Sequence, residues 1–436
     1  MPDCDLLIKN ARIYSPFIFE TSLDNYFIAI NKGEISEIAP MSELSHQIQV
    51  EQTIDAASML VLPGLINCHN HCAMTLFRGL ADDLPLMTWL HDYIFPAEAK
   101  YVSPDMVYWC TKLAIAEMIL SGTTTVADGY FHESAAIDAF IDTGMRAVAA
   151  QGVIDFPAPG VPDPDKNIIY TEEFLTDNIK KNNCITPAVF CHSPYTCGGS
   201  TIQKAKLLSN KYQVPFFIHV SETKSEVDQC KKQHGTSPVV FLHDLGVLDK
   251  NTVLIHSVWL SDAEISLVKQ SESKVVTCPE SNMKLASGIA PVARYHEEGI
   301  YVGLGTDGPA SNNNLDLISE MDICAKLHKV HSQNPTQLSA KDVLRMATID
   351  GAHVLGLEAM VGSVAVGKRA DLIMINLDKP HLTPFYGVDL LVYAANGSDV
   401  DTVIIDGKII MKERRILSFD SDEITREVRK LSSHLI

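Results

Sequence analysis

The chain is predicted to be an α/β protein: a (β/α)8 barrel joined to a small β-sandwich domain built from both chain ends. Three observations predict it. Between Gly64 and Leu357, short apolar runs alternate with helical stretches such as SPDMVYWCTKLAIAEMILSG, the spacing expected of parallel βαβ units. Eight such runs end near His71, Asp128, Gly152, His192, His219, His256, Pro279 and Asp307, and eight strands close a barrel. The two ends differ in texture. LLIKNARIY, YFIAINKGEISEIA and TIDAASMLVLPG near the start, and GSVAVGKRADLIMINL and VDTVIIDGKIIM near the end, read as short strands punctuated by Gly and Asn. The boundaries expected are therefore 64–361 for the barrel, and 1–63 together with 362–436 for the end-built domain.

Composition bounds what such a fold can do. With 436 residues, 46% of them hydrophobic, 20% charged, 24 Gly and 21 Pro, the chain has the make-up of a folded globular protein with a sizeable core. A net charge of −19 repels phosphate backbones and anionic headgroups, so nucleic-acid or membrane binding would need a local basic patch. The densest basic stretch, Lys408 to Arg415, is interrupted by Ile409, Ile410 and Met411 and reads as a strand. The opening Met1-Pro2-Asp3-Cys4-Asp5 has no basic region ahead of an apolar stretch, and no apolar run of about 18 residues occurs, so a cytoplasmic location is expected. The ten cysteines form no CxxC pair, and Cys191 and Cys278 sit in apolar runs, where a reduced thiol acts as a small hydrophobe. A homodimer is the default expectation for assembly.

The chemistry collects at the predicted strand ends, which in such barrels carry the active site. PGLINCHNH places His69 and His71 two residues apart on an extended segment, so both imidazoles project to one face and can share a metal ion; the alternative is a pair of solvent-facing loop histidines. PFFIHVSE then delivers His219 at a strand end with Glu222 three residues on, NTVLIHS delivers His256, and YVGLGTDG delivers Asp307. Imidazole nitrogens and a carboxylate suit one divalent ion, zinc first and iron(II) as well, and such an ion lowers the pKa of a bound water. The expected ligands are His69, His71, His219 and Asp307, with His256 close enough to orient the water or polarise the attacked group.

These segments, with GTDGPASNNNLDL, resemble the amidohydrolase superfamily; MTLFRGLADDLPLMTWL and CPESNMKLASGIAP resemble its 5′-methylthioadenosine/S-adenosylhomocysteine deaminase branch. The resemblance spans nearly the whole chain and implies a TIM-type barrel with a split β-sandwich. It also implies one metal ion, because TPAVFCHSP offers His192 where two-metal members carry a modified lysine. A metal-activated water would attack C6 of a purine, Glu222 would move a proton to N1, and Asp307 would take a proton from the water while ligating the metal. Glu98, in YIFPAEAKY, matches the position that accepts hydrogen bonds from the ribose hydroxyls, and His192 one that contacts purine or sugar. Trp89 would wall the site, or simply pack in the core.

Family members that take S-adenosylhomocysteine carry arginines after the third strand. Here RAVAAQGVIDFPAPGVPDPD puts Gln151 at the first such position and offers no counterpart of the second. Without a cation opposite a carboxylate, the uncharged methylthio substituent is expected to be preferred. Phe156 to Pro162 would line a pocket for that group or form a rigid loop. The leading expectation is thus deamination of 5′-methylthioadenosine, with S-adenosylhomocysteine and adenosine as weaker substrates. The alternatives are a deaminase or chlorohydrolase of another purine, pyrimidine or triazine ring, or a catalytically silent scaffold.

Overall fold

The structure is a computed structural model that describes residues 4–16, 18, 21–45, 47–433 and 435; Met1, Pro2 and Asp3, part of the N-terminal segment read above, lie outside the described residues. Eight strands pair in chain order: β1 (Leu65–Asn70), β2 (Thr123–Tyr130), β3 (Arg146–Val153), β4 (Ile185–Cys191), β5 (Phe216–Val220), β6 (Thr252–His256), β7 (Lys274–Thr277) and β8 (Val302–Leu304). Pairing is parallel from β3 through β8. Most of these strands are buried along their whole length, which is why they read as continuous apolar runs instead of alternating ones.

The last strand exits against the first. Asp307 N–H donates to the His69 carbonyl at 3.0 Å, Thr306 N–H donates to Asn67 Oδ1 at 3.1 Å, and Asn67 Nδ2 donates to Thr306 Oγ1 at 2.7 Å. Gly305 permits this approach: a Cβ there would lie 2.9 Å from the His69 backbone nitrogen, closer than packed atoms tolerate. Helices connect the strands, among them Glu133–Thr143, Asn167–Asn178, Gly199–Tyr212, Lys224–His234 and Asp262–Gln270. Ser261 and Glu264 close the last of these with reciprocal hydrogen bonds, so the helix starts where the sequence supplies the cap.

The chain ends form a separate nine-stranded mixed sheet. Its strands are Cys4–Ile13, Leu23–Asn31, Glu34–Pro40, Val50–Asp55, Met59–Pro63, Leu372–Asn376, Val400–Ile405, Lys408–Lys412 and Arg415–Ile416. Two-residue turns with positive φ at both positions, Lys32-Gly33 and Asp406-Gly407, match the twist of the hairpins they join. Leu6, Ile8, Ile28, Ile30, Val61, Leu372, Met374 and Ile404 form its buried apolar core. The basic stretch Lys408 to Arg415 is a hairpin with its turn at Glu413-Arg414, and Arg414 donates to the carbonyls of Leu120, Gly397 and Val400 at 3.2, 3.0 and 2.8 Å.

The contacts divide the chain into two compact units. One comprises residues up to Ile66 with 116–125 and 316–420; the other comprises 67–115, 126–315 and 421–436, including the helix Ser421–Ser432. Every residue of the candidate site lies in the second. All ten cysteines are free thiols, and only Cys184 is less than fully buried. Among the described residues, no helix is long and apolar enough to cross a membrane.

Candidate active site

The strand ends converge. His69 lies within β1, and His71 follows its end. Asn70, between them, is fixed from below, its Nδ2 donating to Thr306 Oγ1 at 2.7 Å and to the Asp307 carbonyl at 2.9 Å. His71 Nδ1 donates to the Gly129 carbonyl at 2.6 Å, which leaves Nε2 as the nitrogen with a free lone pair. His219 comes from β5, His256 ends β6, and Asp307 follows β8. His219 Nε2 approaches His69 Nε2 to 3.2 Å, and the Nε2 atoms of His69 and His71 lie 3.3 and 3.5 Å from Asp307 Oδ1.

The donor atoms of His69, His71 and His219 all lie within 4.8 Å of one another, as do those of His69, His256 and Asp307. Burial lowers His69 to about 4 and His219 well below its ordinary value, so both rings are neutral. Burial alone would raise the Asp307 carboxyl, but the neighbouring His69 holds it well below the usual carboxylate range. Neutral imidazoles and an ionised carboxylate converging out of water fit a divalent cation.

Glu222 stands beside this cluster. Its Oε2 is 3.8 Å from His256 Nε2, its Oε1 accepts from Ser287 Oγ at 3.1 Å, and burial raises its pKa. Glu226 accepts from the backbone N–H groups of Ser221 and Glu222 at 2.8 and 2.7 Å, while Thr223 caps the following helix. Asp307 Oδ2 accepts from Ser281 and Ser311 at 2.6 and 2.9 Å, and His256 Nδ1 pairs with Asn282 Oδ1 at 3.0 Å. Sequence reasoning missed Glu226, Ser281, Asn282, Ser287 and Ser311. Glu226 carried a local signal, the T-x-x-E pattern of a helix start at Thr223, while Ser281, Asn282, Ser287 and Ser311 lay inside the family-resembling segments CPESNMKLASGIAP and GTDGPASNNNLDL without a role of their own.

A cavity of about 740 Å³, open mouth included, extends from the cluster and is walled largely by apolar side chains such as Leu86, Leu90, Phe95, Val153 and Phe190. Among the described residues, no Lys or Arg lines it. Trp89 does, at the start of a π-helical turn, Trp89–Ile94, a distortion frequent at functional sites. Glu98 also faces the cavity. It is buried in the helix Phe95–Tyr101, accepts from Tyr130 OH at 2.7 Å, and is pushed up by burial to about 7. His192 lines the cavity too, with Nδ1 2.9 Å from Thr196 Oγ1, and burial lowers it to about 3.

Two sequence-selected features fall elsewhere. The run Phe156 to Pro162 is a loop, pinned by paired Ala158–Val161 backbone hydrogen bonds, and its residues do not line this cavity. Instead Pro159, Gly160 and Val161 face a separate cleft together with Gln151. Gln151 accepts from the Glu133 N–H at 3.3 Å and also stands outside the main cavity, whose wall at this point is Gly152, Val153 and Ile154. A β-strand sends alternate side chains to opposite faces, so position 151 faces outward.

The profile of the Amidohydrolase family matches residues 60–410. A 5-methylthioadenosine/S-adenosylhomocysteine deaminase of Syntrophobacter fumaroxidans is 45% identical over 429 residues, 98% of each chain. A 5′-deoxyadenosine deaminase of Methanosphaera stadtmanae is 40% identical over 437 residues, covering 99% of each. The crystal structure of an adenosine deaminase from Xanthomonas campestris with bound zinc superimposes with a TM-score of 0.96 at 34% identity, covering 99% of this chain and 98% of that one. The converging histidines, the nearly closed barrel and a family match over most of the chain lead to one conclusion: this metal-dependent hydrolase belongs to the amidohydrolase family.

Proposed function

We propose that the enzyme hydrolytically deaminates adenosine-type nucleosides, 5′-methylthioadenosine best, and S-adenosylhomocysteine and adenosine less well. The observation that carries the reading is that one apolar-walled cavity holds Glu222 beside the imidazole–carboxylate cluster and also presents the buried Glu98. His69, His71, His219 and Asp307 would hold one divalent ion, zinc by preference, iron(II) being compatible with the same donors. When bound, the ion supplies an activated water for attack at C6.

This chain's residues do the rest. Asp307 is placed to accept a proton from the attacking water, and His256 to orient it. Glu222, kept protonatable by burial, delivers a proton to N1, without which the exocyclic amine is a poor leaving group. Water adds across C6 and N1, the proton held by Asp307 passes to the exocyclic amine, ammonia leaves as the C6 hydroxyl proton returns to Glu222, and the inosine-type product remains. Glu98 receives the ribose hydroxyls, His192 contacts the purine or sugar, and Trp89 forms part of the wall. A cavity without Lys or Arg disfavours a substrate ending in a carboxylate, which supports the preference for an uncharged 5′ substituent. Residues 64–361 form the catalytic domain in this reading, and 1–63 with 362–436 the end-built one. The enzyme works in the cytoplasm as a homodimer.

The test is ultraviolet monitoring of adenine-to-hypoxanthine conversion on metal-loaded protein with 5′-methylthioadenosine, S-adenosylhomocysteine, adenosine, adenine and guanine. Highest kcat/KM for the first is the expected result. Turnover of guanine alone, or of none, rules the nucleoside assignment out.

A further inference from the structure

The segment Cys278–Gly288, between β7 and the helix Val292–Glu297, contributes neither a proposed ligand nor a proton carrier, yet it touches three of the groups that do. Ser281 Oγ donates to Asp307 Oδ2 at 2.6 Å, Asn282 Oδ1 pairs with His256 Nδ1 at 3.0 Å, and Ser287 Oγ donates to Glu222 Oε1 at 3.1 Å. All three side chains are buried. The segment is itself locked. Ser287 N–H donates to the Asn282 carbonyl at 2.8 Å, Trp259 Nε1 donates to the Ser287 carbonyl at 2.7 Å, and Lys284 Nζ reaches Asp82 and Asn313, both at 2.6 Å.

We propose that this segment is a positioning clamp, in which Asn282 and Ser287 together fix the His256 ring and the Glu222 carboxyl in the geometry that proton transfer needs. The functional half of this proposal rests on the deaminase reading above. An amide oxygen can only accept, so Asn282 makes Nδ1 the protonated nitrogen of His256 and turns its Nε2 lone pair toward the cavity. A serine hydroxyl on Oε1 leaves Oε2 as the Glu222 oxygen that faces His256 and the substrate. Because the Ser287 N–H is tied to the Asn282 carbonyl, the two groups are set as a pair. A displacement of about 1 Å in such a pair costs on the order of 100-fold in rate without weakening substrate binding.

The test compares Asn282→Ala, Asn282→Asp and Ser287→Ala with wild type and with Glu222→Gln, all metal-loaded. The expected result is a kcat on 5′-methylthioadenosine lowered by about 10- to 100-fold in each Ala variant, with KM within about threefold and metal content unchanged. Asn282→Asp keeps the acceptor oxygen and recovers most of the rate, which a role in folding alone does not predict. A kcat within about twofold of wild type in both Ala variants, per folded protein, overturns the clamp. An activity-independent arm uses nitrogen-15 histidine spectra, with His256 assigned by its deletion. Its proton resides on Nδ1 in wild type and Asn282→Asp and leaves that site in Asn282→Ala; an unchanged Nδ1–H signal in Asn282→Ala also overturns the proposal. Absence of nucleoside turnover in the wild type sinks the deaminase reading instead, full activity of Glu222→Gln sinks only the proton-carrier role of Glu222, and in either case the spectra still decide whether the clamp orients His256.

Discussion

The nine-stranded sheet and the mouth of the barrel use the same chain in opposite ways. In the sheet, buried positions are apolar apart from Thr402, and residues with positive φ such as Asn10, Lys32, Asp406, Glu413 and Arg414 sit at turns or bulges. At the mouth, the buried positions are His69, His219, Glu222, His256 and Asp307, and positive φ falls on Ser221, His256, Ser257 and Asp307, among them residues that carry the proposed chemistry. A non-glycine residue held in the left-handed region costs on the order of 1 kcal/mol, and a buried carboxyl costs more unless it is paired or protonated. One region is built for stability; the other accepts instability to hold a geometry.

The sharpest way to break that contrast is Glu222→Gln. It is expected to lower kcat by about 10³- to 10⁴-fold while metal content, measured by elemental analysis, stays at the wild-type level. Loss of metal along with activity would make Glu222 part of the binding cluster instead of a proton carrier.

Glu98→Gln comes next, and it tests both sides of the contrast at once. It is expected to lower kcat/KM for nucleosides by about 100-fold while sparing free bases, since one charge-assisted partner of the ribose is lost. Its effect on stability has the opposite sign. The Glu98 carboxyl, at about 7 in the folded protein against an ordinary 4.5, binds its proton more tightly folded than unfolded. Its contribution is therefore most favourable below about pH 4.5 and is lost as pH rises through about 7, a swing of up to about 3 kcal/mol. Thermal melts should accordingly show Glu98→Gln more stable than wild type at pH 8 and close to it at pH 5. A variant less stable at pH 8 would show that the buried Glu98 carboxyl is not held at a cost.

Smaller effects sharpen the sheet's side. Ile28→Val removes one buried methylene from the sheet core and should cost about 1 kcal/mol in a denaturant titration, with kcat/KM unchanged. At the bottom of the scale, Lys326→Ala removes a largely exposed ion pair with Asp322 and should shift stability by no more than about 0.5 kcal/mol. A change in kcat/KM in Ile28→Val would mean that the two regions are not energetically separate.

How much of this was legible in the sequence follows from the range of each interaction. The barrel was readable because every strand is a local apolar run with a polar residue at its end: His71, His219, His256 and Asp307 fall where strand ends were expected. The ends of the chain were readable as strands, but not which strands would pair, since Met59–Pro63 meets Leu372–Asn376 across most of the chain. Asn282 and Ser287 lay in a segment that resembled the family, but their partners were opaque for the same reason. Their partners His256 and Glu222 are 26 and 65 residues away, and a serine or asparagine in a loop announces no partner by its spacing. Gln151 and the loop from Phe156 to Pro162 drew attention by family position and composition; the pleat of β3 and the Ala158–Val161 turn direct them to another cleft.

The seam between β1 and β8 also bears on how the protein comes into being. Asn67 and Thr306, whose side chains meet there, are 239 residues apart in the chain. Contacts of such long range are the costliest for a folding chain to close, so they form late. His69 and His71 emerge from the ribosome long before Asp307, and the full donor set can assemble only once the last strand has been made and has found the first. The complete donor set is then a mark of completed synthesis: a chain truncated before β8 keeps the three histidines but lacks the carboxylate that completes the site.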